Sequence, residues 1–343
     1  MQKILIIYSF IIPAFFINIG CRLNKESQTT AASKPSLISF LDSMSASKAI
    51  IQDDLDGLYE QISKLEMEIQ MKKDIPFMDR AEAVVAYHSF IATQVSTWTD
   101  SEKESLLNIF IKVKKMCDTL SPRIFPGGIQ LIKVKTNHYG SNVYYTRGRN
   151  ILIPENIFPI EDESTQLPVM IHEVFHIFSR YNPDVRHDLY NLIGFEKAQK
   201  PVKLNKSLET KLLTNPDGVS YQYVMKLDSI FAIPLITSKF KSFRTSSPMF
   251  FDYLNFDLYK IKDEGSHYIA LTDENGNTTI SLDETPIFFT KIKDNTQYII
   301  HPDEIMADNF MLALQAFDKN EFGKFSKEGK KLIEQVLVIL QKM

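Results

Sequence analysis

The chain has 343 residues, long enough to bury a large core in one domain or two. Apolar residues make up 44% and charged residues 24%, which excludes extensive disorder. Lys plus Arg total 39 against 42 for Asp plus Glu, and so even a balance argues against a nucleic-acid partner, which calls for a basic surface.

The first predicted element is a targeting segment over 1–20. Lys3 gives a basic start, Ile4–Ile19 is almost wholly apolar, and Gly20-Cys21 precedes a polar stretch from Arg22. This layout resembles the bacterial lipoprotein signal, with Asn18 as its departure from the usual aliphatic residue. The resemblance implies that Cys21 is lipidated and becomes the N-terminus of an exported, membrane-tethered protein of the cell envelope. A plain signal peptide or a short membrane anchor is the alternative. Residues 21–36 are small and polar, as in a flexible linker. Cys117 is the one other cysteine and falls in an apolar-periodic run, which marks a core thiol without a disulfide partner.

A helical region is predicted over 37–127. Ile51, Leu55, Leu58, Ile62, Leu65 and Ile69 form one apolar stripe on a long helix. A second helix is expected over Met78–Thr97, and a third over Ser101–Leu120 with a Ser101-x-x-Glu104 cap. Short strands follow around Ile129–Val134, Val143–Thr146 and Ile151–Ile153. Helical patterning returns over Ser164–Arg180, with Pro168 near its start, and again over Asp188–Phe195. From about 215 to 300 the pattern is β-rich, with strands at Tyr221–Leu227, Phe256–Ile261, His267–Leu271 and Thr278–Leu282. Glu274-Asn275-Gly276-Asn277 reads as a hairpin turn between the last two. Helices over Pro302–Phe317 and Lys327–Lys342 close the chain.

The chemistry lies in His172-Glu173-Val174-Phe175-His176. Histidines four apart share a helix face and can aim at one metal ion. Glu173 then turns to the side where it can act as general base on a water. The other positions of this stretch are mostly apolar, so the helix is predicted to be buried, and two histidines and an acid inside it need partners. Ser179 and Asn182 stand where a third histidine pattern would need Gly and His. In the zinc peptidases that this motif resembles, the other known third ligand is a glutamate on a second helix with an aspartate four residues later, and two glutamates compete for that place. Glu196 is one candidate, with Lys200 where a supporting acid would stand. Glu304 is the preferred one, because Asp308 follows one turn later and can orient a zinc histidine. Tyr221, Tyr223 and His267 have the chemistry of an oxyanion donor, and His88, His138 and His187 read as ordinary histidines.

With these residues in view, the chain resembles the gluzincins, zinc peptidases with a His-Glu-x-x-His helix and a distant glutamate ligand. It also looks like a group of uncharacterised exported bacterial proteins, through Tyr144–Gly148, His172–Arg180, Asn215-Pro216-Asp217 and His301–Phe310. The resemblance implies zinc ligands His172, His176 and Glu304, general base Glu173 and orienting Asp308. Its departure is the β-rich insertion between the two helices. The expected fold is α+β: a helical region, then a zincin-like catalytic domain over 128–343. The expected function is hydrolysis of peptide or protein substrates by zinc-activated water. A non-catalytic zincin-fold binding lipoprotein and a zinc hydrolase of a non-peptide substrate are the rivals.

Overall fold

Two sheets in different surroundings organise the chain. The computed structural model describes residues 37–52, 57–218, 221–247 and 249–343, and Leu37–Met343 form one unit. The expected signal, the lipidated Cys21 and the linker lie outside the described residues.

The first sheet contains β1 (Ile38–Phe40), β2 (Val95–Ser96), β3 (Ile129–Val134), β4 (Tyr145–Arg147) and β5 (Asn150–Pro154). Its order is β1-β3-β5-β4, with β2 also beside β3. β3 runs parallel to β1 and β5, and β4 returns antiparallel to β5. Side chains alternate between two apolar layers, as a sheet covered on both faces requires. Ile129, Leu131, Ile151 and Ile153 enter one core, and Ile132, Val134 and Leu152 enter another.

Helices α1 (Ser43–Ala49), α2 (Leu58–Gln61), α3 (Lys64–Met71) and α4 (Arg80–Ile91) supply the second of those cores. The single long helix expected across this stretch is interrupted. Ile62 is extended, and the Ser63 hydroxyl accepts from Glu66 N to start α3 afresh, so a local cap overrides the apolar period. Leu55 lies outside the described residues. The second expected helix ends at Ile91, and its last predicted residues form β2. The third, α5 (Asp100–Leu120), is opened by a capping box of Thr99 and Glu102, two residues upstream of the predicted pair.

On the other face lie α5, α6 (Glu163–Tyr181), α7 (Pro183–Leu192), α11 (Pro302–Lys319) and α12 (Lys327–Leu340). Between α7 and α11 comes the second sheet: β6 (Phe195–Lys197), β7 (Val202–Lys203), β8 (Leu212–Leu213), β9 (Tyr223–Leu227), β10 (Ile230–Ser238), β11 (Leu254–Asp263) and β12 (Tyr268–Ala270). The order is β6-β9-β10-β11-β12-β7, with β8 beside β10. Short helices α8 (Lys206–Glu209), α9 (Phe250–Tyr253) and α10 (Pro286–Ile292) punctuate it.

β1, β2, β6, β7, β8 and β10 are not among the strands expected from sequence, and β10, the longest of these, carries Pro234, a residue that disfavours a central position. The register shows how the proline is tolerated. Residues 230–232 of β10 pair with β9 and residues 236–237 with β8, so Pro234 falls in the gap between them. The strand expected at Thr278–Leu282 does not form. Its turn does, with Gly276 N donating to Asp273 O and Gly276 at φ +76°, a value suited to glycine. The protein is α+β, as its composition and patterning lead one to expect.

Candidate metal centre

α6 is buried on most of its circumference. Met170, Ile171, Val174, Phe175, Ile177 and Phe178 are fully inaccessible, and its remaining stripe meets α11. Phe175 and Phe178 pack on Phe310 of α11, with ring centroids 5.2 Å and 5.8 Å away. The pairing of sites along the two helices is reversed: His172 meets Asp308, and His176, one turn on, meets Asp303. The helices therefore run antiparallel across the site, and the faces carrying His172/His176 and Glu304/Asp308 oppose each other.

The ring nitrogens sort into two roles. His172 Nε2 lies 3.1 Å and His176 Nε2 lies 3.7 Å from the same oxygen, Glu304 Oε2. Donor atoms arranged tetrahedrally around zinc at bonds of about 2.0–2.1 Å stand ~3.3–3.4 Å apart, so these separations suit one shared ion. The opposite nitrogens face carboxylates: His172 Nδ1 is 2.9 Å from Asp308 Oδ1, and His176 Nδ1 is 3.1 Å from Asp303 Oδ2. A histidine held in this way donates from Nδ1 and leaves Nε2 free to bind metal. His176 Nε2 is buried and has no hydrogen-bond partner among the described residues, an orphan that a metal ion would satisfy.

Each carboxylate is braced in turn. Asn215 Nδ2 donates to Glu304 Oε1 at 2.7 Å. Thr296 Oγ1 donates to Asp308, and Tyr190 Oη and Ser179 Oγ donate to Asp303. Glu173 is 4% exposed and presents a carboxylate oxygen within 4.8 Å of ring nitrogens of both His172 and His176. Its Oε2 has no partner among the described residues, as a base awaiting a water would have.

The electrostatics follow from this crowding. Burial disfavours a charged His176, but the carboxylates of Asp217, Glu304 and Asp303 outweigh it and push the imidazole up to about 9. His172 is likewise raised by hydrogen bonds to Asp308 and Glu304 in spite of burial. Burial first, and Asp217 next, push Glu173 up to about 8. Asp303 is driven far down by His176, which overcomes its burial.

The structure thus brings together His172, Glu173, His176, Glu304 and Asp308. The rival Glu196 stands exposed on β6, paired with Val224. Of the expected oxyanion donors, Tyr223 bonds His187 Nδ1 at 2.6 Å and stacks edge-on against Tyr190, one layer behind Asp303. Tyr221 borders a cleft with Lys200 and Pro201, and His267 contacts Ser266 in the turn from β11 to β12. His138 bonds Tyr145 Oη at 2.8 Å, and His88 packs on Tyr59.

A tyrosine beside the cluster that sequence reading passed over, among fourteen, is Tyr298. Its ring lies 6.4 Å from that of His172, nearly parallel to it. Desolvation and then the charges of Glu304, Asp217, Asp308 and Glu173 push its phenol up, although the residue is 36% exposed. Asp303 and Asp217 were also missed as site residues. Asp303 stood beside the favoured Glu304, and Asp217 was concealed in the turn signature Asn215-Pro216-Asp217-Gly218. No family model, no curated protein and no solved structure matches the chain.

Proposed function

We propose that this protein is a zinc-dependent hydrolase of peptide bonds. One observation carries the reading: His172 Nε2, His176 Nε2 and Glu304 Oε2 converge while a separate carboxylate braces the far side of each ring. A zinc ion bound there would polarise a carbonyl and lower the pKa of a bound water towards about 7. The chain's own residues supply the rest. Asp308 and Asp303 fix the imidazole tautomers. Glu173 takes a proton from the attacking water and delivers it to the departing amine. Tyr298 is the donor facing the charge that develops on the carbonyl oxygen.

This reading resembles the gluzincins in its ligand set and in the helix pair that carries it. The proposal keeps the expectation, from the sequence of residues 1–21, of an envelope protein tethered through Cys21. Among the described residues no helix is long and apolar enough to cross a membrane. The test is a pair of measurements on purified protein: zinc content, and hydrolysis of a mixed peptide library. Wild type should hold about one zinc per chain. Glu173→Gln should keep that zinc while activity falls at least ~100-fold, as loss of a general base requires. Retained activity would remove Glu173 from its role, and a zinc-free wild type would overturn the reading.

A further inference from the structure

One buried acid of the site has no place in the His-Glu-x-x-His pattern. Asp217 comes from the loop after β8, yet a carboxylate oxygen of Asp217, a ring nitrogen of His176 and a carboxylate oxygen of Glu304 all lie within 4.8 Å of one another. Their exposures are 6%, 1% and 1%. The cluster also contains His176 Nε2, a buried donor atom with no partner among the described residues. Two carboxylates buried this close repel each other, and a divalent cation between them removes the conflict.

The loop is held firmly enough to aim such a ligand. The backbone N–H and the hydroxyl of Thr146 both donate to Asp217 Oδ1. Arg180 Nη2 donates to Asp217 O at 2.8 Å, and Arg147 Nη1 donates to Pro216 O. One residue earlier, Asn215 grips Glu304. Before that, Thr214 donates through N and Oγ1 to the buried carboxylate of Glu66. Immediately after comes Gly218, where a Cβ would stand 2.8 Å from His301 Cε1 and 3.1 Å from Asp303 Oδ2. The loop is thus pressed against the first turn of α11, and only glycine permits the approach.

We propose that Asp217 is a fourth protein donor to the zinc ion, alongside His172, His176 and Glu304, in a five-coordinate site that keeps one position for the water. The inference rests on the zinc reading above and extends it. Two carboxylate donors cancel the charge of a divalent ion, whereas two histidines and one glutamate leave a positive charge uncompensated. The expected consequence is tight retention of the metal.

The test uses the full-length protein, with zinc or cobalt(II) as the probe. Chelator competition should show zinc binding weakened at least tenfold in Asp217→Asn. The visible spectrum of the cobalt-loaded variant should shift, since cobalt absorption reports the number and kind of donor atoms. Asp217→Cys, made in a Cys21→Ser background, supplies a positive signal: a thiolate-to-cobalt band absent from the parent, whose Cys117 is buried in the core. Thr146→Val, which removes one brace but keeps the carboxylate, should leave the cobalt band positions in place. If wild type binds zinc and His176→Ala does not, but both Asp217 variants keep wild-type affinity and spectrum, Asp217 is no ligand and the zinc reading stands. If wild type binds neither metal, both proposals fall together.

Discussion

At the scale of single residues the proposed metal centre would set protons against metal. Without an ion, the carboxylates around His176 hold its imidazole up to about 9, and His172 is raised too. A zinc ion must displace those protons, because only neutral imidazole binds metal. Below pH 9 each unit of acidification therefore costs about tenfold in apparent affinity for His176 alone, and more where His172 also gives up a proton. Competition against a chelator of known pH dependence, from pH 6 to 9, should give a logarithmic affinity rising by one or more per pH unit. A flat profile would mean that the histidines are neutral before zinc arrives. These residues were legible to different degrees. His172, Glu173, His176, Glu304 and Asp308 announce themselves by helical spacing, which fixes relative direction within one element. Asp217, Asp303 and Tyr298 belong to turns and helix starts, where spacing says nothing about what is faced.

At the scale of elements, the α6–α11 contact decides whether the donors meet. Phe310 stacks on Phe178 and packs against Phe175, and all three rings are fully buried. Phe310→Ala should lower stability by about 3–5 kcal/mol through lost burial and the cavity left behind. Denaturant titration measures that loss. The same variant should bind zinc more weakly, because a slackened helix pair no longer fixes the nitrogens against Glu304. Unchanged zinc affinity would show that the ligands are positioned by their braces rather than by the packing. Elements were readable from sequence wherever a period was long and unbroken, as in α5, α6, α11 and α12. They were misread where a local rule overruled the period: Ser63 restarts a helix, and Pro234 sits harmlessly in a gap between two strand partners. Which faces come together depends on contacts distant in sequence, and no periodicity carries that information.

At the scale of the whole molecule, the N-terminal helices and the centre share a buried hydrogen-bond relay. Glu66 of α3 accepts from Thr214, and the adjoining Asn215 donates to Glu304. Gln70 adds a third donor to Glu66, and Tyr87 of α4 donates to Gln70. Burial pushes Glu66 up to about 7 in spite of these donors. A chain beginning at Gly128 loses this anchor, together with the apolar layer over Ile132, Val134 and Leu152. It should fail to retain zinc even when the metal is supplied, as equilibrium dialysis would show. Retention by that fragment would make the helices a cover with no part in the site.

The separation of the ligands along the chain also sets a schedule. His172 and Glu304 are 132 positions apart, with the entire second sheet between them. A growing chain can present the histidine pair early, but it has no glutamate ligand until nearly nine-tenths of the residues exist. Contacts this distant form late, since the loop must close before they contribute. The proposed peptide hydrolysis would therefore be withheld from a nascent chain that has not yet reached Glu304. On the proposed reading, the topology alone keeps the centre unformed until α11 has been made.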